Sequence, residues 1–496
     1  MRGVLRSLAV AAAGGGLVLG AAHLPSLNLV QATSQAGDAR VTRTHAEAVT
    51  KAQRICPGPE ALGIEGLPDA VAQTVTVAAV TAPPAALPEG FTTAKGIGSL
   101  TVSGLPLGGT WGAPATARGQ VVPGQISTAQ SVLVTGTGAI APGTVATQRS
   151  WVKVGDNRGL VTTACMPAAD SSWLVAGGAE PGRREPLVLT NPGPNAVTVD
   201  LAVLGAKGPI QSPNGHGLVV GPHARTVVLL DAIAGSEPSP VVHVTAQGGE
   251  VAAVLSDTWL DGIVPRGGDD AVPVAEPARE QVIVGLPIDG PATLRVAVPG
   301  DIEAVVQARV LTLAGPRGLP ADAVTRVAGH STRDIDLSAL PPGSYSVQVH
   351  ADVPVVASAM VDRRGVVAGT PSDLAWSGAS PPIRTLAGMA LHGPTDIGFN
   401  NWLDLAATKA PASVMVTTVA DNGVVTAKEV AIQADSVSSL LLAGASSVWV
   451  TPRTGLVRAA VVPSIGDAKG VLFSVTPLTD LSLTTTLPPL REVRGE

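Results

Sequence analysis

Along most of the chain, apolar residues alternate with polar ones in short runs broken by Gly, Pro, Asn and Asp. This is the period-two signature of half-buried strands separated by turns. Val199, Leu201 and Val203 mark one such run, and Val306, Ala308 and Val310 another. Both belong to longer copies of one pattern: Leu187 to Leu204 lies without a gap over Leu294 to Leu311, at an offset of 107 residues. Each copy predicts a strand, a Pro-Gly turn and a second, alternating strand. Val228–Leu230 then corresponds to Ile335–Leu337, and Ala252–Ser256 to Val356–Met360. A third copy runs through Ser413–Val419, turns at Asn422–Gly423 and continues through Leu440–Leu442, Val448–Val450 and Arg458–Val462. Asn-Gly between alternating runs is a strong hairpin signal. Gly159–Pro167 echoes Gly455–Pro463, which adds a divergent N-terminal copy and sets Cys165 where the other has a core-strand valine.

A repeat of about 105 residues is too long for a solenoid turn or propeller blade, which run about 20 to 50. About seven short strands per hundred residues is the pattern of an immunoglobulin-like or fibronectin-like β-sandwich. The expected fold is therefore all-β: tandem sandwiches of that kind after an N-terminal signal or anchor helix. The chain divides as 1–30 (signal peptide or single transmembrane anchor), 31–54 (a polar stalk, helical around Ala46 to Ala52) and 55–167 (a divergent, disulfide-stapled sandwich). Sandwiches at 168–268, 280–370 and 381–477 and a flexible tail at 478–496 complete it. The stretches Met166–Ser172, Pro265–Gln281 and Pro371–Pro382 read as linkers.

The N-terminus sets the compartment. Arg2 and Arg6 precede an uncharged stretch from Leu8 to Ala22 that ends in small residues, as in a secretory signal cleaved after Ala22. Retained, Leu8 to Val30 is long enough to anchor the chain, since about 20 residues span a bilayer. Either way the positive residues stay inside and the body lies outside. In an exported chain the two cysteines, Cys56 and Cys165, are expected to pair as a structural disulfide. The closed loop is worth about 4–5 kcal/mol in the chain-entropy account.

Composition narrows the function. Hydrophobic residues at 45% against 14% charged exclude a disordered chain. A net charge of −6 leaves no basic excess for phosphates, so nucleic acid is not an expected partner. The histidines form no His-Glu-x-x-His, and His223 and His330 stand one repeat apart, as turn residues would. No Gly-x-Ser-x-Gly is present. Asp257, Asp261, Asp269 and Asp270 read as a solvated linker, with calcium between exported domains as the rival use. No catalytic, cofactor-binding or metal-binding residue is assigned. Among the tryptophans, Trp151 and Trp449 fall on core strands, whereas Trp376 and Trp402, set among Gly, Ser, Pro and Asn, are the candidates for exposed glycan contact.

The Cys56-Pro57-Gly58-Pro59 motif, Ala164–Pro167, Trp173–Gly178 and the Leu189–Gly193 phrase resemble an uncharacterised family of actinobacterial cell-envelope proteins, a domain of unknown function. The resemblance implies an exported or anchored β-rich protein, often encoded near envelope glycosyltransferases, and carries over no catalytic residues. The expected role is a non-enzymatic extracytoplasmic envelope protein, a spacer or interaction scaffold; the alternative is a protein that binds or modifies cell-wall glycan. The membrane, through the N-terminal segment, and envelope glycosyltransferase machinery or cell-wall glycan are the expected partners.

Overall fold

A computed structural model describes residues 46–64, 75–106, 108–319, 324–364, 369–391, 398–467 and 470–486. The expected export segment, the expected stalk up to residue 45 and residues beyond 486 lie outside the described residues; of the flexible tail expected at 478–496, the described part is corrected, since Leu478, Leu481 and Leu483 are buried. Among the described residues no helix is long and apolar enough to cross a membrane.

The strand Val197–Gly205 shows how the pattern folds: Val197, Val199, Leu201 and Val203 are buried, while Thr198 and Ala202 between them face water. Repeated along the chain, this gives an all-β architecture in which the only α-helix of the described residues is one turn, Asp231–Ala234. The strands pair into facing sheets. In the first sandwich Lys51–Cys56, Ser131–Thr137 and Leu100–Leu105 face Val122–Ile126, Val75–Thr81, Thr144–Val152 and Gly159–Ala164. Val77, Val102 and Val134 fill the space between. The second packs the sheet around Pro186–Asn191 against that around Val197–Gly205. In the third, one 21-residue strand, Gly343–Arg363, joins both layers: its first half pairs Ala304–Thr312 and its second half pairs Ala292–Ala297. Asn400–Ala407 and Ala412–Ala420 centre the two sheets of the fourth.

The internal repeat is visible in the register. Leu187 pairs with Val228 and Leu255, as Leu294 pairs with Ile335 and Ala359. The equivalent histidines occupy equivalent turns: His223 and His330 have φ of 50° and 54°, and their N–H groups donate to Gly193 O and Gly300 O, each at 3.0 Å. The hairpin through Asn422–Gly423 joins Ala412–Ala420 to Val425–Ile432. Cys56 and Cys165 form a disulfide with their Cα atoms 4.4 Å apart.

Several expectations are corrected. Residues 51–54, assigned to a stalk helical as far as Ala52, belong to the strand Lys51–Cys56, which pairs with Ser131–Thr137. The echo of Gly159–Pro167 in Gly455–Pro463 is one strand out of step. Gly159–Ala164 closes its sandwich, whereas Val457–Asp467 is followed by Gly470–Phe473 and Thr476–Leu478, which pair with it. The stretches read as linkers are largely strands: Pro265–Gln281 contains most of Val264–Ala271 and the start of Ala278–Ile288, and Pro371–Pro382 contains Asp373–Gly378.

Nor do the sandwiches stand apart. The first meets the second through Ile55, Leu105 and Leu133 against Ala252. Trp173, Val175 and Val241 of the second cover Ala297 and Val356 of the third. Third meets fourth where Gly285, at φ 80°, lies so close that a Cβ there would come within 2.9 Å of Ala460 Cβ. The fourth returns to the first: Leu386, Trp449 and Leu481 pack on Ala78, Val80 and Val145, and Ile465 and Leu472 on Leu160. Apolar packing therefore joins first to second, second to third, third to fourth and fourth to first, and the series closes into a cycle.

Candidate functional site

Where the cycle closes, the final strands of the four sandwiches meet, and two of them, Val264–Ala271 and Asp373–Gly378, lie in stretches that read as linkers. Asp373 Oδ2 accepts N–H groups from Leu160 at 3.2 Å and Phe473 at 2.9 Å, joining the third sandwich to the first and fourth. Asp269 Oδ2 accepts Trp376 N–H at 3.0 Å, and its Oδ1 accepts the Ser474 hydroxyl at 2.8 Å. Asp270 Oδ2 accepts the Thr163 hydroxyl at 2.6 Å. Asp257 Oδ2 takes Arg183 at 2.5 Å and Trp376 Nε1–H at 2.7 Å. Gly267, at φ 94°, permits the approach, since a Cβ there would lie 2.0 Å from Asp373 Oδ1. Carboxylates can replace apolar side chains here because backbone and hydroxyl donors of neighbouring repeats supply the hydrogen bonds that burial demands.

Burial also shifts the acids of this junction. It pushes Asp269 and Asp373 well above the usual carboxylate range, and Glu60 likewise, with the adjacent Asp270 adding to the rise. At the second sandwich, burial and then the charge of Asp257 push Glu185 up to about 8. The acidic group read as a solvated linker is corrected accordingly. Asp257, Asp269 and Asp270 are buried and bonded to protein donors, and only Asp261 lies outward, paired with Arg266 at 2.8 Å. Among the described residues no three His, Cys, Asp or Glu side chains gather as a metal-ligand set.

The two tryptophans expected at a glycan face are not brought together. Trp376 is 3% exposed, tied to Asp257, with the Arg295 guanidinium 5.3 Å from its ring centre. This corrects its expected exposure: its strand is polar in composition yet sealed in the junction. Trp402 is 41% exposed on Asn400–Ala407 of the fourth sandwich. Trp449 is fully buried between first and fourth sandwiches, and Trp151 packs edge-on to Phe399 with ring centres 6.4 Å apart.

The described residues also form a cleft of about 570 Å³, a size common for ligand sites. Its walls come from the first, second and fourth sandwiches and from the connecting residues 166–169, 272–273 and 477–482. One wall is the edge of Lys51–Cys56. Val49 N–H donates to Leu483 O at 3.0 Å at one end of that edge. At the other end Ile55 N–H donates to Met166 O at 2.7 Å and Ile55 O accepts Met166 N–H at 3.0 Å. Because backbone groups alternate sides along a strand, Lys51 and Gln53 between these ends also point their N–H groups off the edge, into the cleft. Arg54 lines the same wall. Its guanidinium donates to Gln53 O at 2.8 Å, and among the described residues no carboxylate lies within ion-pair distance of it. Desolvation lowers it to about 10. Thr147, buried in the wall, leaves its hydroxyl without a partner. The lining also holds three acids: Asp480, committed to the N–H groups of Arg384, Thr385 and Leu386, and Glu250 and Glu276. The open edge thus presents N–H and C=O groups alike, and beside it the Arg54 guanidinium is a positive group with no carboxylate partner among the described residues. The sequence pointed to none of these residues; its only trace is the alternation of Lys51, Gln53 and Ile55 with Ala52, Arg54 and Cys56.

No curated protein matches the chain. Among solved structures, the chain is similar to a crystal structure of a tetra-tandem repeat in the extending region of a large adhesion protein, at 14% identity and a TM-score of 0.10, over 87% of this chain and 99% of that one. The chain belongs to the DUF5719 family, a family of unknown function whose profile matches residues 121–443.

Proposed function

We propose that this chain is a non-enzymatic extracytoplasmic protein of the cell envelope that works as an interaction scaffold. The observation that carries the proposal is the closed packing of the four sandwiches. A spacer gains reach by keeping its modules apart, whereas here Asp373 alone bonds to two other sandwiches. Such a body holds its surfaces in fixed relation, which suits a docking platform. The finer expectations belong to the same reading: immunoglobulin-like or fibronectin-like descent of each repeat, an actinobacterial envelope setting, anchorage through residues 1–30, and service to envelope glycosyltransferase machinery. The disulfide is compatible with an oxidising compartment.

The test is a pull-down of the full-length protein from cross-linked native membranes, with a version lacking residues 1–30 as control. Enrichment of one envelope enzyme with the full-length chain alone supports an anchored scaffold. Recovery of peptidoglycan or polysaccharide with both forms moves the reading to the glycan-binding or glycan-modifying alternative. The observation favouring that alternative is the exposed ring of Trp402.

A further inference from the structure

We infer that the open edge of Lys51–Cys56 receives an extended peptide of a partner protein as an added strand, with an acidic side chain of that peptide seated on Arg54. This deepens the scaffold reading and rests on it. An edge strand with free N–H and C=O groups is a template for another chain, and proteins usually blunt such edges with proline, a bulge or a covering segment. Here backbone cover is present at both ends, through Leu483 and Met166; between them the Arg54 guanidinium sits on Gln53 O, and the Lys51 and Gln53 N–H groups are left for a guest. The gap from Val49 to Ile55 spans about 20 Å of strand, at roughly 3.3 Å per residue. It therefore admits a segment of about four residues, whose backbone meets the edge amides of Lys51 and Gln53.

Side chains fix the chemistry of the guest. Arg54 and Ala52 share one face of the strand, because successive residues alternate. An acidic residue opposite Ala52 has room above that small side chain and reaches the guanidinium diagonally. The Arg54 charge has no carboxylate of its own among the described residues. Val145, Met389 and Leu478 supply apolar wall for its alternate residues. A β-branched run interrupted by Asp or Glu fits these features.

The experiment selects decapeptides from a random displayed library on the full-length protein, then measures a synthesised, labelled winner by fluorescence anisotropy and amide hydrogen exchange. The inference expects winners with an acidic residue in a β-branched run. It expects binding to weaken about tenfold or more in Arg54→Gln, the usual scale for losing a charged hydrogen bond. It also expects slowed exchange at the Lys51 and Gln53 amides when peptide is bound. Neutralising the peptide's acid should cost the same factor on the natural chain and nothing further on Arg54→Gln. Failure to select any peptide, or protection that leaves these two amides untouched, overturns the inference. Soluble peptidoglycan fragments that displace the winner and themselves protect these amides overturn it in favour of a glycan guest. If Arg54→Gln does not fold, exchange on the natural chain decides. A partner still captured by the full-length protein, without protection of this edge, sinks the inference and leaves the scaffold reading standing; loss of both sinks the two together.

Discussion

The cores of the four sandwiches and the junction between them are buried to the same degree by opposite means. In the cores, Val, Leu and Ala from facing sheets meet and nothing polar needs satisfying: Leu189, Val199 and Leu255 are fully buried among other apolar side chains. At the junction, Asp269, Asp270, Asp373, Ser474 and Thr162 are buried as completely. A sandwich core is built mainly within one repeat and finished by a neighbour, as Leu374 and Trp376 finish the second and Phe473 and Val475 the third, whereas the side chains of Asp269, Asp270 and Asp373 take hydrogen bonds from other repeats. The cores make the sandwiches; the junction makes them depend on one another.

Four perturbations probe that contrast. The largest effect is expected from replacing both Cys56 and Cys165 with serine. It should cost about 4–5 kcal/mol of unfolding free energy by chain entropy, read by denaturant titration and confined at first to the first sandwich. Asp373→Ala should follow, at about 3 kcal/mol or more, because it leaves buried N–H groups of Leu160 and Phe473 without an acceptor. Its signature is the loss of a single transition, with amide protection falling in the first, third and fourth sandwiches together. Leu189→Ala should cost about 2–5 kcal/mol as a cavity within the second sandwich, and its first loss of protection should stay there.

Protons give the next contrast. Glu185 holds its proton in the fold up to about pH 8, against about 4.5 for the free side chain. The folded value is the raised one, so this contribution is fully present below about pH 4.5 and is lost as pH climbs toward 8. Asp269, Asp373 and Glu60 shift in the same direction. Denaturation midpoints should therefore fall from mildly acidic toward alkaline pH, and Glu185→Gln should flatten the part of the slope below pH 8. A midpoint rising over that range contradicts the assignment of buried, protonated acids.

This contrast also explains what was legible in the sequence. The repeat was readable because core strands carry their burial as alternation: Val199, Leu201 and Val203 look buried and are. The turns were readable because His223 and His330 recur at the repeat offset. The closing strands were not, since Arg266, Gly267, Gly268, Asp269 and Asp270 have the composition of a solvated linker and the partners of the Asp269 and Asp270 side chains lie in other repeats. Trp376 shared that fate: its sequence neighbours are small and polar, and its cover comes from Asp257 and Arg295. The cleft was invisible for a further reason. An open edge is defined by where Leu483 and Met166 stop covering it, and neither residue is near Lys51 or Gln53 in sequence.

The central claim is that the fourth sandwich closes back onto the first. A double-mutant cycle on Leu160→Ala and Leu472→Ala, which pack together across that seam, tests it most directly. The account predicts a coupling energy of about 0.5–3 kcal/mol. Additivity within about 0.3 kcal/mol, the result for residues that do not meet, contradicts a closed cycle.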